Sequence, residues 1–285
     1  MGGFKPVSQF DWYQATVPAA PEALIRVLEG QMPHDVRRQV GPGFNSFKQR
    51  CDLVTIDGDQ GEVLASVMYG GVNPHPNVKS TGDHSPALSL VLRELFPEHR
   101  ISRLDVACDY RGADAFEDTI ALMSRIGRAH SLKGEKIIPD DLDDGSTYYL
   151  GSRQSPLRLR CYEKGKQLFK LTGDPAWKQL FDWTRLELQV RPQRKFKSVA
   201  ATMEPEAFWG CARWTREIAD GVLNMAAEPV SMKPTRIHDQ ERAMRFSAAQ
   251  YGPTHLRQIQ RLGLDAYIED WLQRIGYRQE REEAA

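Results

Sequence analysis

The chain has 285 residues with 41% hydrophobic and 27% charged content, enough for one large domain or a main domain with a small appendage. A composition this close to average excludes a collagenous, disordered or disulfide-framework protein. The 38 Lys and Arg balance 38 Asp and Glu, so total charge alone points to neither nucleic acid nor a charged membrane. No stretch has the apolar length of a membrane span, and Met1-Gly2-Gly3-Phe4-Lys5 lacks the apolar core of a signal peptide. Cys51, Cys108, Cys161 and Cys211 are far apart with no Cys-x-x-Cys spacing, against a zinc knuckle or a disulfide scaffold. A soluble protein of the reducing cytoplasm is the expectation.

In chain order, periodicity predicts a strand over Phe10–Val17 and a proline-opened helix over Pro21–Leu28. Phe44–Thr55 and Glu62–Tyr69 alternate as a hairpin joined by an Asp57-Gly58-Asp59 turn. Ser85–Leu95 has helical spacing with Ser85 as N-cap, Ile101–Tyr110 returns to a strand, and Asp114–Ile126 forms an amphipathic helix. The acidic loop Asp140–Asp144 precedes strands over Thr147–Arg153, Leu157–Lys164 and Thr184–Arg191. Beyond Pro192 helical spacing dominates, over Glu206–Leu223 and Glu241–Gly276, with a linker at Pro229–Pro234 and a frayed charged tail at Arg278–Glu283. The expected fold class is α+β, a largely antiparallel sheet with helices on one face, plus a helical C-terminal region. The division falls at a sheet-bearing domain over 1–200 and a helical region over 201–285.

Side chains alternate across a strand. One face of Ile101–Tyr110 carries Arg103, Asp105, Ala107 and Asp109. One face of Leu157–Lys164 carries Arg158, Arg160, Tyr162 and Lys164, and one face of Thr184–Arg191 carries Arg185, Glu187, Gln189 and Arg191. The opposite faces are apolar. For any one strand, the solvated face of a two-layer sandwich is the plain explanation. Recurrence on three strands weakens it. Asp105, Asp109 and Glu187 offer oxygen ligands for a hard cation, Mg2+ or Mn2+, and the surrounding arginines offer phosphate contacts.

Between Arg153 and Lys197, 12 Lys and Arg stand against 4 Asp and Glu, a net of +8, so the rest of the chain carries −8. That is the footprint of a polyanion partner, although an ordinary solvated surface has the same composition. The expected DNA-binding residues are Arg103, Arg153, Arg158, Arg160, Arg185, Arg191, Arg194 and Lys195. Trp177, Phe181 and Trp183 lie in the same segment, as base-stacking rings or as core.

An acidic site beside a tyrosine on a basic face suggests phosphodiester chemistry, in which a tyrosine oxygen attacks phosphorus and stores the bond energy in a phosphotyrosine. A phenol needs a nearby cation to favour its phenolate, supplied by Arg160, Lys164 or a metal. Tyr149 competes with Tyr162 for the role. A P-loop, paired metal-binding histidines and a Gly-x-Ser-x-Gly elbow are all missing from the sequence.

Three blocks carry a family resemblance: Ser102-Arg103-Leu104-Asp105-Val106-Ala107-Cys108-Asp109-Tyr110; Thr147-Tyr148-Tyr149-Leu150-Gly151-Ser152-Arg153-Gln154-Ser155 running on to Arg160-Cys161-Tyr162-Glu163-Lys164-Gly165-Lys166; and Trp183-Thr184-Arg185-Leu186-Glu187-Leu188-Gln189. Their order and spacing resemble the replication initiation factor family. Its members are rolling-circle initiators of certain Gram-positive plasmids and filamentous phages, with nicking relaxases of some integrative elements among them. Phe208-Trp209-Gly210 and the helical tail resemble the phage branch. The resemblance implies a core like that of the His-hydrophobe-His endonucleases without the histidine pair. It implies that Tyr162 nicks one strand and becomes linked to its 5′ phosphate, and that Asp105 and Glu187 help bind the cation, with Asp109 a weaker carry-over. Relatives often place a second acid two residues after that glutamate, where this chain has Gln189. Implied partners are origin DNA, as a single strand or hairpin, and a recruited host helicase, with a homodimer left open. Alternatives of other classes are a non-catalytic DNA-binding regulator and a protein that binds no nucleic acid. The +8 segment sets one expectation: affinity for single-stranded DNA, read by fluorescence polarisation, should fall steeply between about 50 and 200 mM salt. A flat response would show that these cations do not meet phosphates.

Overall fold

Ten strands form a single antiparallel sheet in the computed structural model, which describes residues 7–32, 35–56, 61–232 and 236–274. The strands are β1 (Ser8–Thr16), β2 (Val36–Pro42), β3 (Phe47–Thr55), β4 (Val63–Gly71), β5 (Asn77–Thr81), β6 (Arg100–Arg111), β7 (Gly134–Ile137), β8 (Thr147–Leu150), β9 (Leu157–Glu163) and β10 (Trp183–Val190). Their order across the sheet is β2-β3-β4-β5-β1-β6-β10-β9-β8-β7. The helices are α1 (Pro21–Gln31), α2 (Ser85–Leu95), α3 (Ala115–Ala129), α4 (Lys164–Thr172), α5 (Phe196–Val199), α6 (Arg213–Leu223), α7 (Arg236–Leu262) and α8 (Leu264–Arg274). This is the expected α+β class. The predicted strands and helices form with ends shifted by a few residues, except that Glu206–Leu223 divides into a 3-10 turn over Pro205–Cys211 and α6, and the last helical stretch divides at Gly263 into α7 and α8. The sequence pattern missed β2, β5, β7, α4 and the four-residue α5. The Asp57-Gly58-Asp59 turn, the Pro234 end of the linker and the charged tail lie outside the described residues.

The core lies on one face of the sheet. Leu104, Val106 and Cys108 of β6, Leu186, Leu188 and Val190 of β10, and Leu157, Leu159 and Cys161 of β9 supply the sheet side. Leu24, Ile25 and Leu28 of α1, Leu88 and Leu92 of α2, and Phe116, Ile120 and Met123 of α3 cover them. The period of two on the strands and of 3.6 on the helices thus meet in one apolar layer. Ser85 does not cap α2: a short turn over Gly82–His84 runs into the helix, leaving Ser85 inside its first turn.

The chain divides into two compact units, Met1–Met232 and Lys233–Ala285. The first runs past the expected boundary at 200, because Phe208, Trp209, Ile218 and Leu223 are buried in the same core as the sheet. Trp209 is fully buried and donates its indole N–H to Ser8 Oγ at 3.1 Å, while that hydroxyl sits 3.0 Å from Cys108 Sγ. One polar cluster thereby joins β1, β6 and the 205–211 turn without leaving the indole unsatisfied. In the second unit α7 and α8 meet at Gly263, whose φ of +81° suits a glycine. There the His255 ring packs edge-on against Trp271 at 4.7 Å.

His99 ties the loop before β6 to β1. Its Nε2 lies 2.8 Å from the Tyr13 hydroxyl and its Nδ1 2.8 Å from the Phe96 carbonyl oxygen, so Nδ1–H donates to the carbonyl and Nε2 accepts from Tyr13. Burial, aided by the Arg93 charge, holds the imidazole pKa below its ordinary 6.5. Below about pH 6.5 the unfolded chain therefore takes up a proton that the folded protein refuses, and stability falls as pH drops toward the lowered value. Thermal unfolding from pH 7 to 5 should show a shallower loss in His99→Gln than in the parent protein. Identical slopes would remove His99 as the titrating group.

Candidate functional site

The register of β10 builds the polar face. Against β6, Gln189 stands opposite Asp105, Glu187 opposite Ala107 and Arg185 opposite Asp109. Against β9, Arg185 stands opposite Tyr162, Glu187 opposite Arg160 and Gln189 opposite Arg158. Tyr149 of β8 stands opposite Arg160, one strand farther out. The strands carrying Asp105, Glu187 and Tyr162 are therefore neighbours.

Glu187 and Asp105 form an inner pair of carboxyls, with side chains 7% and 2% exposed. Burial, followed by the charge of Asp105, pushes Glu187 up to about 7. Burial also raises Asp105, against the pull of Arg103, Glu187 and Gln189. Burial makes two negative charges on this face costly, which is the direction in which both carboxyls are shifted. Arg103 donates to Asp105 from Nε at 3.0 Å and from Nη2 at 2.5 Å, and its guanidinium lies 4.1 Å over the Trp12 ring. Arg160 reaches Glu187 at 3.7 Å and covers the Tyr162 ring at 3.9 Å.

Arg158 Nε, Arg160 Nε and Gln189 Oε1 on this face are buried with no hydrogen-bond partner among the described residues. Two donors and one amide oxygen left unspent are unusual, since buried polar atoms are normally satisfied. Asp105, Glu187 and Gln189 Oε1 together make a hard-oxygen donor set of the kind Mg2+ or Mn2+ takes. The expected trio of Asp105, Glu187 and Asp109 does not assemble, and among the described residues no three His, Cys, Asp or Glu side chains cluster for a metal. The reason is strand geometry. Asp109 is four residues beyond Asp105, about 13 Å along an extended strand.

Asp109 instead belongs to Arg185, which is buried and donates to it from Nε at 2.7 Å and Nη2 at 2.6 Å. A third bond runs from Arg185 Nη1 to Asp11 at 2.7 Å. Asp11 was not among the expected residues. Its strand is bulged: Phe10 pairs with Val106 but Trp12 pairs with Asp105, so Asp11 is an extra residue. The bulge turns Asp11 to the polar face, while Phe10 and Tyr13 stay in the core. The three-residue step between those core positions, where a regular strand steps by two, was the available signal.

Tyr162 is 3% exposed. Burial, then the Glu187 charge, raises its pKa, while Arg185 and Arg160 pull the other way. The phenol is protonated at neutral pH in the free protein. Lys164, at the start of α4, has its ammonium 5.9 Å from the Tyr162 ring centre. Burial and the Arg185 charge lower its pKa. The Leu180 backbone packs directly on the first turn of α4, where a Cβ on Gly165 would sit 1.8 Å from the Leu180 carbonyl oxygen, so only glycine fits. Tyr149 lies on the same face under the Arg158 guanidinium at 3.9 Å.

The +8 segment is less exposed as charge than the sequence suggests. Lys170 pairs with Asp144, Lys178 with Asp143, and Arg185 with Asp11 and Asp109, all acids from outside the segment. Arg103, Arg158, Arg160 and Arg185 sit on the site face, whereas Arg153, Arg194 and Lys195 are exposed beyond it. Arg191 donates to the Arg153 carbonyl oxygen.

The fold and site are those of an antiparallel-sheet protein whose acid pair, arginines and tyrosine share one face. The chain belongs to the replication initiation factor family, whose model matches residues 99–242, half of the chain. Among solved structures it is similar to a rolling circle replication initiator protein from Geobacillus stearothermophilus, with 19% identity, 79% of this chain and 100% of that chain covered, and a TM-score of 0.49. No curated protein matches it. A replication initiation factor has DNA as its partner. Among the described residues no helix is long and apolar enough to cross a membrane.

Arg185 yields the prediction. Asp11→Asn keeps an acceptor oxygen but removes the charge behind one of the three bonds, and should cost about 1–2 kcal/mol in urea unfolding. Asp109→Asn weakens the two-bond contact and should cost roughly 3 kcal/mol. Equal or reversed losses would mean that Asp109 does not dominate the contact.

Proposed function

We propose that the protein nicks and rejoins one DNA strand at a replication origin through a 5′-phosphotyrosine on Tyr162. The observation that carries this is the register: Tyr162 lies opposite Arg185 and beside Arg160, and Arg160 reaches Glu187 of the acid pair. Attack of Tyr162 Oη on the scissile phosphorus forms the P–Oη bond and breaks the P–O3′ bond. The 3′ oxygen leaves with a proton as a free hydroxyl. Attack by a 3′ hydroxyl on the phosphotyrosine reverses the step and rejoins the strand. Lys164, its ammonium destabilised by burial and by Arg185, takes the phenol proton when its amine is neutral. Arg160 and Arg158, each with an unspent buried Nε, hold the phosphate oxygens.

Asp105, Glu187 and Gln189 would hold Mg2+ or Mn2+, which would supply polarisation of the phosphoryl oxygen and offset the charge of the transition state. The amide of Gln189 serves where relatives carry an acid, so the site binds its cation with one negative charge fewer. Asp109 is left to position Arg185.

Protein mixed with Mg2+ or Mn2+ and a labelled origin strand should form a covalent adduct that survives denaturing gels. Tyr162→Phe should abolish it and Tyr149→Phe should retain it; the opposite result moves the nucleophile to Tyr149. Salt-sensitive DNA binding with no adduct under any divalent ion would make the protein a regulator instead. The cation site has its own readout, because a ligand that binds only the folded state raises its stability. Mn2+ should raise the melting temperature of the parent protein, and Glu187→Gln should remove that rise. Gln189→Leu should weaken apparent Mn2+ affinity about tenfold, and an unchanged affinity would exclude the amide as a ligand.

A further inference from the structure

On the polar face of the sheet, beyond the acid pair, a lysine ammonium sits between two aromatic rings. Lys79 Nζ of β5 lies 5.2 Å from the centre of the Trp12 ring and 5.3 Å from that of Phe44, which reaches over from the turn between β2 and β3. Among the described residues that ammonium has neither a carboxylate partner nor a hydrogen bond. The register explains why. Lys79 stands opposite Gln14 on β1 and Ser66 on β4, and the next acid along that row, Asp52 of β3, is taken by Arg50 at 2.9 Å. The Trp12 ring is fixed in place, because its indole N–H donates to Gln14 Oε1 at 3.3 Å and Gln14 Nε2 donates in turn to Asn77 Oδ1 at 2.7 Å.

We propose that this surface carries single-stranded DNA from the acid pair across β1 and β5, with a backbone phosphate on Lys79 and a nucleotide packed against Phe44. Three N–H donors on a cation with no acceptor call for an anion. The rings choose which anion. Phe44 is 37% exposed, and an inorganic anion gains nothing from it, whereas a nucleotide brings a flat π face beside each phosphate. A duplex keeps those faces in its own stack, so the ring contact favours a single strand. Place agrees as well. Trp12 stands opposite Asp105 and lies under Arg103, which is bonded to Asp105, so cations and rings run unbroken from the acids to the β2–β3 turn. Tyr162 is in register with Asp109 of β6 and Lys79 with Arg103, six residues apart on that strand. With four strand spacings between β9 and β5, the phenol and the ammonium are separated by roughly 28 Å, a length that several nucleotides span. The +8 segment offers less here, since Lys170 and Lys178 already meet acids. The strand is gripped by a part of the sheet that charge along the chain does not mark.

That the bound strand is the one being cut rests on the reading of Tyr162 as nucleophile; its binding to this surface does not. The test is fluorescence polarisation of a labelled oligothymidylate strand with the full chain, in EDTA and over a range of salt. Lys79→Gln should raise Kd about fivefold and flatten the log–log salt slope by about 0.7, the share of one phosphate contact on a single strand. Phe44→Ala should raise Kd about tenfold and leave that slope unchanged, as loss of a stacking ring does. Both side chains are partly exposed, so melting temperatures should stay close to that of the parent. Lys79→Gln alone decides the matter if Phe44→Ala lowers the melting temperature. A parent-like Kd and slope in Lys79→Gln overturn the track. So does a folded Phe44→Ala protein that binds like the parent, which would leave a bare anion site, or a duplex that binds as tightly as the single strand. Binding that depends on Lys79 and Phe44 without any tyrosine adduct in Mg2+ or Mn2+ supports the track and sinks the nicking chemistry. An adduct formed by a Lys79→Gln protein of parent-like affinity leaves nicking standing and sinks the track.

Discussion

A guanidinium sealed between two carboxylates holds the working face of this sheet together. Arg185 reaches Asp109 on β6 and Asp11 on β1 while standing opposite Tyr162 on β9. Four strands of the sheet are thereby referred to one buried charge. A buried cation with a partner missing is costly, so the three bonds act as a constraint on strand register as much as a source of stability. A slip by one residue would turn Arg185 into the core and Leu186 to the polar side, and the acid pair would part with it. The positions of Asp105, Glu187 and Tyr162 follow from that register.

Most of the fold was legible because burial imposes period. β6, β9 and β10 alternate apolar and polar residues along their length, and α2 and α3 repeat apolar residues at helical spacing, so each could be read locally. β2 was missed because it is an edge strand, Val-Arg-Arg-Gln-Val-Gly-Pro, with none of its residues buried and hence no apolar face to detect. β7 and β5 have four and five residues, too few to show a period. α4 begins directly after β9 with no side-chain cap, so the strand pattern runs into it unannounced. The expected boundary at 200 failed for a different reason. Helical spacing reveals a helix but not what it packs against, and only the burial of Phe208, Trp209 and Ile218 assigns α6 to the sheet.

The site was legible in its faces and not in its pairings. Alternation put Asp105, Arg160, Tyr162, Arg185 and Glu187 on polar faces. Which of them meet depends on cross-strand register, which no single strand encodes. Hence Asp109 was grouped with the acids on chemistry alone, although four residues of strand separate it from Asp105. Asp11 was hidden by a bulge, which breaks the alternation that sequence reading relies on. The charge pattern misled in the same way. A run that is +8 along the chain is partly neutralised in space by Asp11, Asp109, Asp143 and Asp144, all distant in sequence.

The acid pair gives the face a further property. In the free protein Asp105 is occupied by Arg103 and Glu187 lies near Arg160, so each carboxyl already has a cation and each arginine already has an anion. A phosphate arriving alone would have to compete with buried carboxylates for those guanidinium groups. On the proposed reading, Asp105 and Glu187 would turn to a bound divalent cation, and Arg103 and Arg160 would then be free to meet phosphate. Cation and DNA backbone would then bind with mutual support although neither touches the other's ligands, because they draw on opposite halves of the same ion pairs. The raised Glu187 pKa belongs to this arrangement: burial and the Asp105 charge make a second negative charge there costly until a cation arrives.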